Sequence, residues 1–488
     1  MSPAPEPVNG RRAVVVGAGP NGLVAAVTLA RRGWKVEVLE AGPVPGGGTR
    51  SAELVEAGVL HDICSAIHPL ALASPALRDL PLAGHGLRWV QPDAPVAHVL
   101  APDRVVVQHR SVEQTVASLG ADGTAWRRLF GPILDAGDGL TDGLLSPLKV
   151  PPRHPMLLAR FGLLGIRSAD SLAGRFRTPE ARALLAGHAG HAILPLDAPA
   201  TGAYALMLAG LAHRVGWPMA EGGSQRIADA LVGLLESLGG TVTCDRRVAS
   251  FDELPPHDAA LFDVTPRQLV QIMGDRLPVG YRRRLARFRY GTGVFKVDWV
   301  LREPIPWRDP GAATAGTVHL GGSFERIAAA EAEVHAGRHP EHPYVLLAQH
   351  TLFDPTRVDT ARAPAGRQTV WAYCHVPSGS TLDMTSRIEA VIEAAAPGFR
   401  DCVVGRHTMG TVEMEAHDAN YIGGDINGGV ADLRQFVARP VASLHPWRTP
   451  VPGVYLCSAS TPPGGGVHGM CGRHAAREVL RDAARGRL

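Results

Sequence analysis

Gly17, Gly19 and Gly22 stand in the spacing G-x-G-x-x-G immediately after the apolar run Ala13–Val16. That run reads as a short strand, Leu23–Arg32 as the helix after it, Gly33 as the helix C-cap and Val36–Leu39 as the next strand. Glu40 ends the second strand, eighteen residues past Gly22. This arrangement binds dinucleotides. Gly17 permits the tight turn, and Gly19 lets backbone N–H groups reach a pyrophosphate. Gly22 allows close helix–strand packing, and Glu40 accepts from ribose hydroxyls. Pro20, Asn21 and Ala41 belong to the same unit. A ligand-free Gly-rich turn is the alternative; the strand–turn–helix context with an acid at its end weighs against it.

Two further Gly-rich stretches decide which dinucleotide is expected. Pro45–Ser51 contains Gly47, Gly48, Thr49 and Arg50, and its glycines would let the backbone approach a second phosphate or a flavin. Gly453–Ala476 carries Ser460, His468, Gly469 and Met470. A helix starting near Met470 would aim its positive end at a flavin pyrimidine, where charge gathers on reduction. Gly464, Gly466 and Gly469 repeat the fingerprint spacing, but too little chain follows for a second nucleotide fold. FAD, held non-covalently, is the expected cofactor. His468 reads as a proton shuttle or a simple hydrogen-bond donor. Cys471 reads as a small packing residue rather than a covalent flavin anchor, because nothing visible activates it.

Of 49 basic residues only Lys35, Lys149 and Lys296 are lysines, and asparagine occurs only at positions 9, 21, 420 and 427. Arg, Ala, Gly and Pro dominate instead, so the surviving lysines and asparagines attract notice. Lys296 lies in the apolar run Gly293–Leu301. Period-two alternation puts Val294, Lys296, Asp298 and Val300 on one face and Phe295, Val297, Trp299 and Leu301 on the other. Asn420, Asp425 and Asn427 form a polar, Gly-separated loop that reads first as turn chemistry, with a site role as the second reading. Residues 147–166 mix apolar side chains with Lys149, Arg153 and Arg160, and Arg167 follows. They read as a core helix with a charged outer face, or as a basic amphipathic helix that meets a membrane.

The elements that must position these residues follow from periodicity. Residues 1–12 read as a disordered tail, 87–108 as short strands, and 112–235 as mostly helix with Pro-rich breaks at 147–155 and 195–199. Strands are expected at Val242–Cys244, Val248–Phe251, Leu261–Val264, Gly293–Leu301, Tyr344–His350, Thr369–His375 and Val454–Ser458. Residues 302–343 read as loop with one helix near 325–336; helices are also expected near 385–396 and over Met470–Ala484.

Composition bounds the function. The chain has 488 residues, 45% hydrophobic and 19% charged, with net charge +3. Two to four soluble domains are expected, with no nucleic-acid partner held by bulk charge. Six scattered cysteines form no C-x-x-C, and no histidine set has metal-ligand spacing, so no metal, dithiol or disulfide framework is expected. The apolar run Ala13–Ala30 is broken by glycines and a proline, and no signal peptide is evident. A cytoplasmic location follows as the default, with contact at a membrane periphery as the variant.

The three Gly-rich segments together resemble the FAD-binding parts of the phytoene desaturase and amine oxidase superfamily. Trp217–Arg226, with its Trp-Pro and Gly-Gly pairs, resembles that family's W-P-x-G-G segment. Gly293–Trp299, Ala395–Arg400 and Asn420–Gly429 resemble the branch containing pyridine nucleotide-disulphide oxidoreductase domain-containing protein 2, although the paired cysteines of a disulphide reductase are missing. The resemblance spans about residues 12–480. It implies an amine oxidase-like fold of α/β and α+β parts. A Rossmann-type FAD domain (13–75, 218–275 and 440–488) would be interleaved with a mixed-sheet and helical substrate domain (76–217 and 276–439). It places Val248 against adenine. It also matches Lys296 to the amine oxidase lysine that holds a water at flavin N5; a Lys296–Asp298 pair on a solvated face is the competing reading. The implied activity is FAD-dependent desaturation, dehydrogenation or oxidation of a hydrophobic small molecule, with oxygen or a quinone as acceptor. A flavin-dependent reductase or saturase, or a flavin-bearing binding protein with little turnover, are the alternatives.

Overall fold

The computed structural model describes residues 10–146 and 155–488. Most of the expected tail and of the Pro-rich break at 147–155, with Lys149 and Arg153, lies outside the described residues. The tail ends earlier than expected. Arg12 already opens the first strand, Arg12–Val16, and its N–H donates to Asp258 Oδ2 at 2.7 Å.

Among the described residues, a five-stranded parallel sheet runs in the order Val454–Leu456, Ala259–Phe262, Arg12–Val16, Lys35–Leu39, Thr241–Thr243. Its strands come from three separated stretches of chain. All are short; Ala259–Phe262 and Val454–Leu456 are fully buried because both sheet faces are covered there, whereas the edge strand Thr241–Thr243 is polar and largely exposed. On one face, Leu23 and Val27 of helix Pro20–Ala30 pack with Ile227 and Leu231 of Gln225–Ser237 and with Ala475 and Val479 of Met470–Ala484. Leu269, Ile272 and Tyr281 cover the other.

The second sheet is mixed and seven-stranded, in the order Val403–Met409, Gly293–Leu301, Gln368–Val376, Val345–Gln349, Ala315–Leu320, Ala94–Ala101, Arg104–Gln108. Its register sets out the face that matters. Lys296 pairs with Tyr373 and Asp298 with Trp371; Tyr373 is opposite Leu346, and Trp371 opposite Ala348. Thr317 and His319 continue these two rows. The reverse face of Gly293–Leu301, with Val297, Trp299 and Leu301, is buried under Ile388 and Ile392 of helix Thr385–Ala395. The period-two reading of this strand therefore assigns its faces as observed.

Two expectations change. Val248–Phe251 is no strand; Phe251–Glu253 is a 3-10 turn capped by Ser250, whose Oγ accepts from Asp252 N–H. Ala315–Leu320, expected as loop, is a fully buried strand. Its Gly and His residues hide the strand pattern, and its neighbours on both sides supply the pairing.

A buried ionic clamp ties the mixed-sheet side to the hairpin Ser51–Asp62 and to the segment before helix Gln225–Ser237. Arg357, between two strands of the mixed sheet, donates from Nη1 to Asp62 Oδ2 at 2.8 Å and from Nε to Asp354 Oδ2 at 3.1 Å. Asp62 also accepts from Ser51 Oγ and Ser224 N–H, each at 2.7 Å. Asp354 accepts from Gly222 N–H at 2.8 Å. The Gly-Gly-Ser segment after Trp217 therefore presents backbone amides to this clamp. Burial alone would raise the Asp62 carboxyl, yet Arg357 and its hydrogen bonds hold it well below the usual range. Arg357→Met would strand two buried carboxylates. It should lower unfolding free energy by about 3–5 kcal/mol in urea titrations; a loss below ~1 kcal/mol would show that the clamp does not hold these segments together.

Candidate active site

The turn after the first strand is built by contact distance. Gly17 has φ +100°, and a Cβ on Gly22 would fall 2.1 Å from Gly17 O. No side chain fits between the two backbones, and in the first turn of helix Pro20–Ala30 Gly22 N–H donates to Asp263 Oδ2. The Asn21 side chain at this end is buried, and its Oδ1 has no protein partner. Glu40 is fixed from both sides: Oε2 accepts from Ala18 N–H at 2.7 Å and Oε1 from Gly42 N–H at 2.8 Å. Gly47 and Gly48 come close behind. A Cβ on Gly47 would sit 3.2 Å from Gly19 Cα, and one on Gly48 would be 2.0 Å from the Tyr421 hydroxyl. Arg50 holds this lip by donating to Gly47 O at 3.0 Å and His417 O at 2.6 Å.

A cavity of about 800 Å³ starts at this cradle and runs over the mixed sheet. Gly17, Gly19, Pro20, Asn21, Glu40, Ala41, Gly47, Gly48, Thr49, Arg50, Val248, Ser460 and His468 line it. Gly22, Gly469 and Met470 stand behind the lining and shape it. Gly469 has φ +64° and caps the last helix, whose Gly472 packs against Asn21 O where any Cβ would collide. Two helix N-termini thus converge on one space. Residues 64–68, 458–460 and 465–468 also line it, and Trp371, Tyr373, Leu346 and Thr317 contribute the wall from the mixed sheet.

Lys296 is not among the lining residues. Its amine is buried on the face that carries Trp371 and Tyr373, 5.7 Å from the Trp371 ring centre. It donates to both oxygens of Asp298 at 2.5 Å. The pair with Asp298 is real, but both partners are buried, so the solvated-face reading fails. Burial would raise the Asp298 carboxyl; Lys296 overrides this and keeps it below its ordinary value. His61 Nδ1 lies 3.6 Å from the same carboxylate.

His468 has both ring nitrogens engaged. Nδ1 accepts from Met470 N–H at 3.0 Å, and Nε2–H donates to Gly464 O at 3.1 Å. Burial pushes its pKa down to about 4. The ring is a neutral cap of the last helix, and the simple-donor reading replaces the proton shuttle. Cys471 Sγ donates to Thr461 O at 3.3 Å, and burial raises its thiol to about 11, which leaves no reactive thiolate. Asp425 accepts from Gly291, Asn427 and Gly429 N–H groups, which is turn chemistry. Asn420 does more: Oδ1 accepts from Thr265 N–H, and Nδ2 donates to Asp263 O, pinning the loop to the dinucleotide half.

Sequence reasoning missed Asp263, Asp418, Arg246 and Arg247, all of which line the cavity. The arginines flank Val248, and a basic pair beside a dinucleotide site was the available signal. Asp263 follows the strand Ala259–Phe262, and only tertiary structure brings its Oδ2 within 2.8 Å of Gly22 N–H. On the substrate side, Phe161 of helix Pro155–Gly165 reaches the cavity. Met156 and Leu163 of that helix are exposed beside Arg160, so its outer face is more apolar than expected. Among the described residues, no helix is long and apolar enough to cross a membrane.

Asp263 generates a pH prediction. Burial raises its carboxyl to about 8, with Asp418 and Glu40 adding repulsion and the Gly22 N–H opposing. The folded chain thus holds a proton that the unfolded chain releases. This contribution to stability is full below pH ~4 and is lost as pH rises through about 8. Asp263→Asn keeps an acceptor for Gly22 N–H but cannot ionise. Between pH 5 and 7.5 the wild-type apoprotein should lose up to about 1.4 kcal/mol per pH unit more than the variant. Parallel stability–pH curves would refute a protonated Asp263.

Comparisons with known proteins agree with this geometry. A family model for an NAD(P)-binding Rossmann-like domain matches residues 15–80. The chain is 25% identical to pyridine nucleotide-disulfide oxidoreductase domain-containing protein 2 of Rattus norvegicus, covering 96% of this chain and 93% of that protein. It is 23% identical to a lycopene-forming phytoene desaturase of a Paracoccus species, over 97% and 98%. Among solved structures, a redesigned putrescine oxidase superposes with TM-score 0.62 at 19% identity, over 97% and 99%. That likeness establishes a shared fold.

Proposed function

From membership of the phytoene desaturase and amine oxidase-like superfamily as the premise, we propose that this chain is an FAD-dependent oxidoreductase acting on an apolar organic molecule. One observation carries the reading: a cradle of close-packed backbone at two helix N-termini opens directly into a cavity walled by Trp371, Tyr373, Leu346, Phe161 and Met207. The residues present fit FAD. The amide end of helix Pro20–Ala30 would receive the pyrophosphate, Glu40 the adenosine ribose, and Val248 the adenine. Ser460 and the start of the last helix would meet the flavin ring. When bound, FAD would supply the two-electron acceptor for a hydride from the substrate. The chain itself orients the substrate, excludes water with its apolar walls and places a buried ammonium, Lys296, behind Trp371. Oxygen or a quinone is the proposed final acceptor.

Purified protein should be yellow, and denaturation should release FAD. Neutral, packed Cys471 favours this over a covalent bond. Glu40→Ala removes a charge-assisted acceptor and should weaken FAD binding roughly 10- to 100-fold by fluorescence titration. FMN, absent flavin or flavin retained by the denatured chain would contradict the reading, as would unchanged affinity in the variant.

The buried pair changes the test of Lys296. Lys296→Met alone leaves Asp298 as an uncompensated buried charge and should destabilise the fold. Lys296→Met with Asp298→Asn removes the charge pair together and should retain FAD. Air reoxidation of that reduced double variant should slow at least about tenfold, and the flavin absorbance bands should shift. Unchanged spectra and reoxidation would make the pair purely structural.

A further inference from the structure

The far end of the cavity holds polar groups that the flavin reading leaves unused. His191, the C-cap of helix Pro179–Gly190, lines the cavity, as does Thr317. His191 Nε2 lies 3.1 Å from Nε2 of His319, a fully buried residue two positions from Thr317 on the same strand face. Thr317 is 5% exposed, and its hydroxyl has no protein partner. Among the described residues, the lining side chains of Asp, Glu, Lys or Arg are Glu40, Arg50, Arg246, Arg247, Asp263 and Asp418. These cluster about the dinucleotide cradle: Arg50 donates to Gly47 O, Arg246 N–H to Glu40 O, and Asp418 stands against Gly47. The substrate end carries none of them.

Neighbouring bonds fix how the imidazoles are oriented. Gln108 Nε2 donates to Ala209 O, so its Oε1 accepts from His188 Nε2–H at 2.5 Å. His98 Nε2–H donates to Gly322 O at 2.8 Å. Both rings thereby keep a bare Nδ1, and neither Nδ1 has a partner. His319 Nδ1 is likewise unpartnered, against Gly187. A buried lone pair without a partner costs less than a buried N–H without one. His319 therefore donates through Nε2–H to His191 Nε2. That assignment leaves His191, a residue of the cavity lining, with its proton on Nδ1. Burial keeps His191 down at about 3 and His98 at about 4, so the cluster is neutral.

We propose that His191, oriented by His319, and Thr317 form a recognition subsite for an uncharged oxygen, a carbonyl or hydroxyl, on an otherwise apolar substrate. The inference rests on the oxidoreductase reading and narrows its substrate class. An N–H donor and a hydroxyl complement an oxygen acceptor. A pure hydrocarbon leaves both groups unpaired, and an ammonium finds no carboxylate at this end. Selectivity arises because the site's own buried polar groups need a partner, more than from gain in apolar contact.

The test uses FAD-loaded protein and displacement of Nile red by 2-decanone, 1-decanol, decane and decylamine. The ketone and alcohol should displace the dye at concentrations at least about tenfold below those of decane and decylamine. Thr317→Val, nearly isosteric, and His191→Leu should each reduce that preference to about twofold or less, with FAD content unchanged. Equal displacement by alkane and ketone, tighter decylamine, or a preference that survives both substitutions would overturn the subsite. If His191→Leu fails to fold, Thr317→Val alone decides. Protein that purifies without FAD would refute the oxidoreductase reading, whereas loss of the ketone preference with FAD in place refutes the subsite alone.

Discussion

Backbone-to-backbone approach at the Gly17–Gly22 turn is the constraint on which the rest depends. A single methyl at Gly22 would overlap Gly17 O, and a methyl at Gly472 would overlap Asn21 O. These contacts bring the first and last helices together with no side chain between their N-terminal ends. The amide dipoles then point into one volume, where an anionic or electron-accepting group is stabilised without a dedicated cation. The first and last Gly-rich segments are far apart in sequence, so closing this cradle also closes the chain into its fold.

The second requirement is to hold a mixed sheet against that cradle while burying charge. Asp62, Arg357 and Asp354 do this with mutually satisfied bonds, and Lys296–Asp298 repeats the device one layer nearer the cavity. Such pairs add little net stability over an apolar replacement, but they punish misalignment, since a displaced partner leaves a bare charge. Between the clamps lie His61 and His350, each within 4 Å of a carboxylate yet without a hydrogen-bond partner. The cavity wall formed by Trp371 and Tyr373 inherits its position from this arrangement.

What could be read from the sequence divides by range. The strand Gly293–Leu301 and the helix Met470–Ala484 appear at their expected bounds and Glu40 follows its strand, because local spacing determines each. The first helix starts at Pro20 rather than Leu23 and ends at Ala30, before Gly33, since proline suits a first helical turn. The strand Ala315–Leu320 escaped because tertiary pairing on both sides overrides its weak β signal. Val248 lines the cavity but sits in an irregular segment, so the residue was legible and its strand was not. Asp263, Arg357 and the His191–His319 contact join residues more than 100 positions apart. No periodicity encodes them. Lys296 shows the intermediate case: alternation gave its face, while the depth of that face depended on a distant hairpin, Ser51–Asp62, packed beside it.

The polarity of the cavity is graded along its length, and this constrains the chemistry more than any single residue does. Charged side chains collect at the cradle, where a dinucleotide carries its own charge and hydroxyls. Aromatic and aliphatic side chains such as Trp371, Tyr373, Leu346, Phe161 and Met207 line the rest, together with His191, which contacts buried His319. Charge transfer from an apolar substrate is favoured when the donor end offers little stabilisation to a charged ground state and the acceptor end offers much. Helix N-termini at the cradle and uncharged rings beside Thr317 would produce that asymmetry. A protonated histidine at the far end would reverse part of the gradient. Burial holds His191 and His319 neutral, so the proposed gradient depends on it as well as on the glycines that shape the cradle.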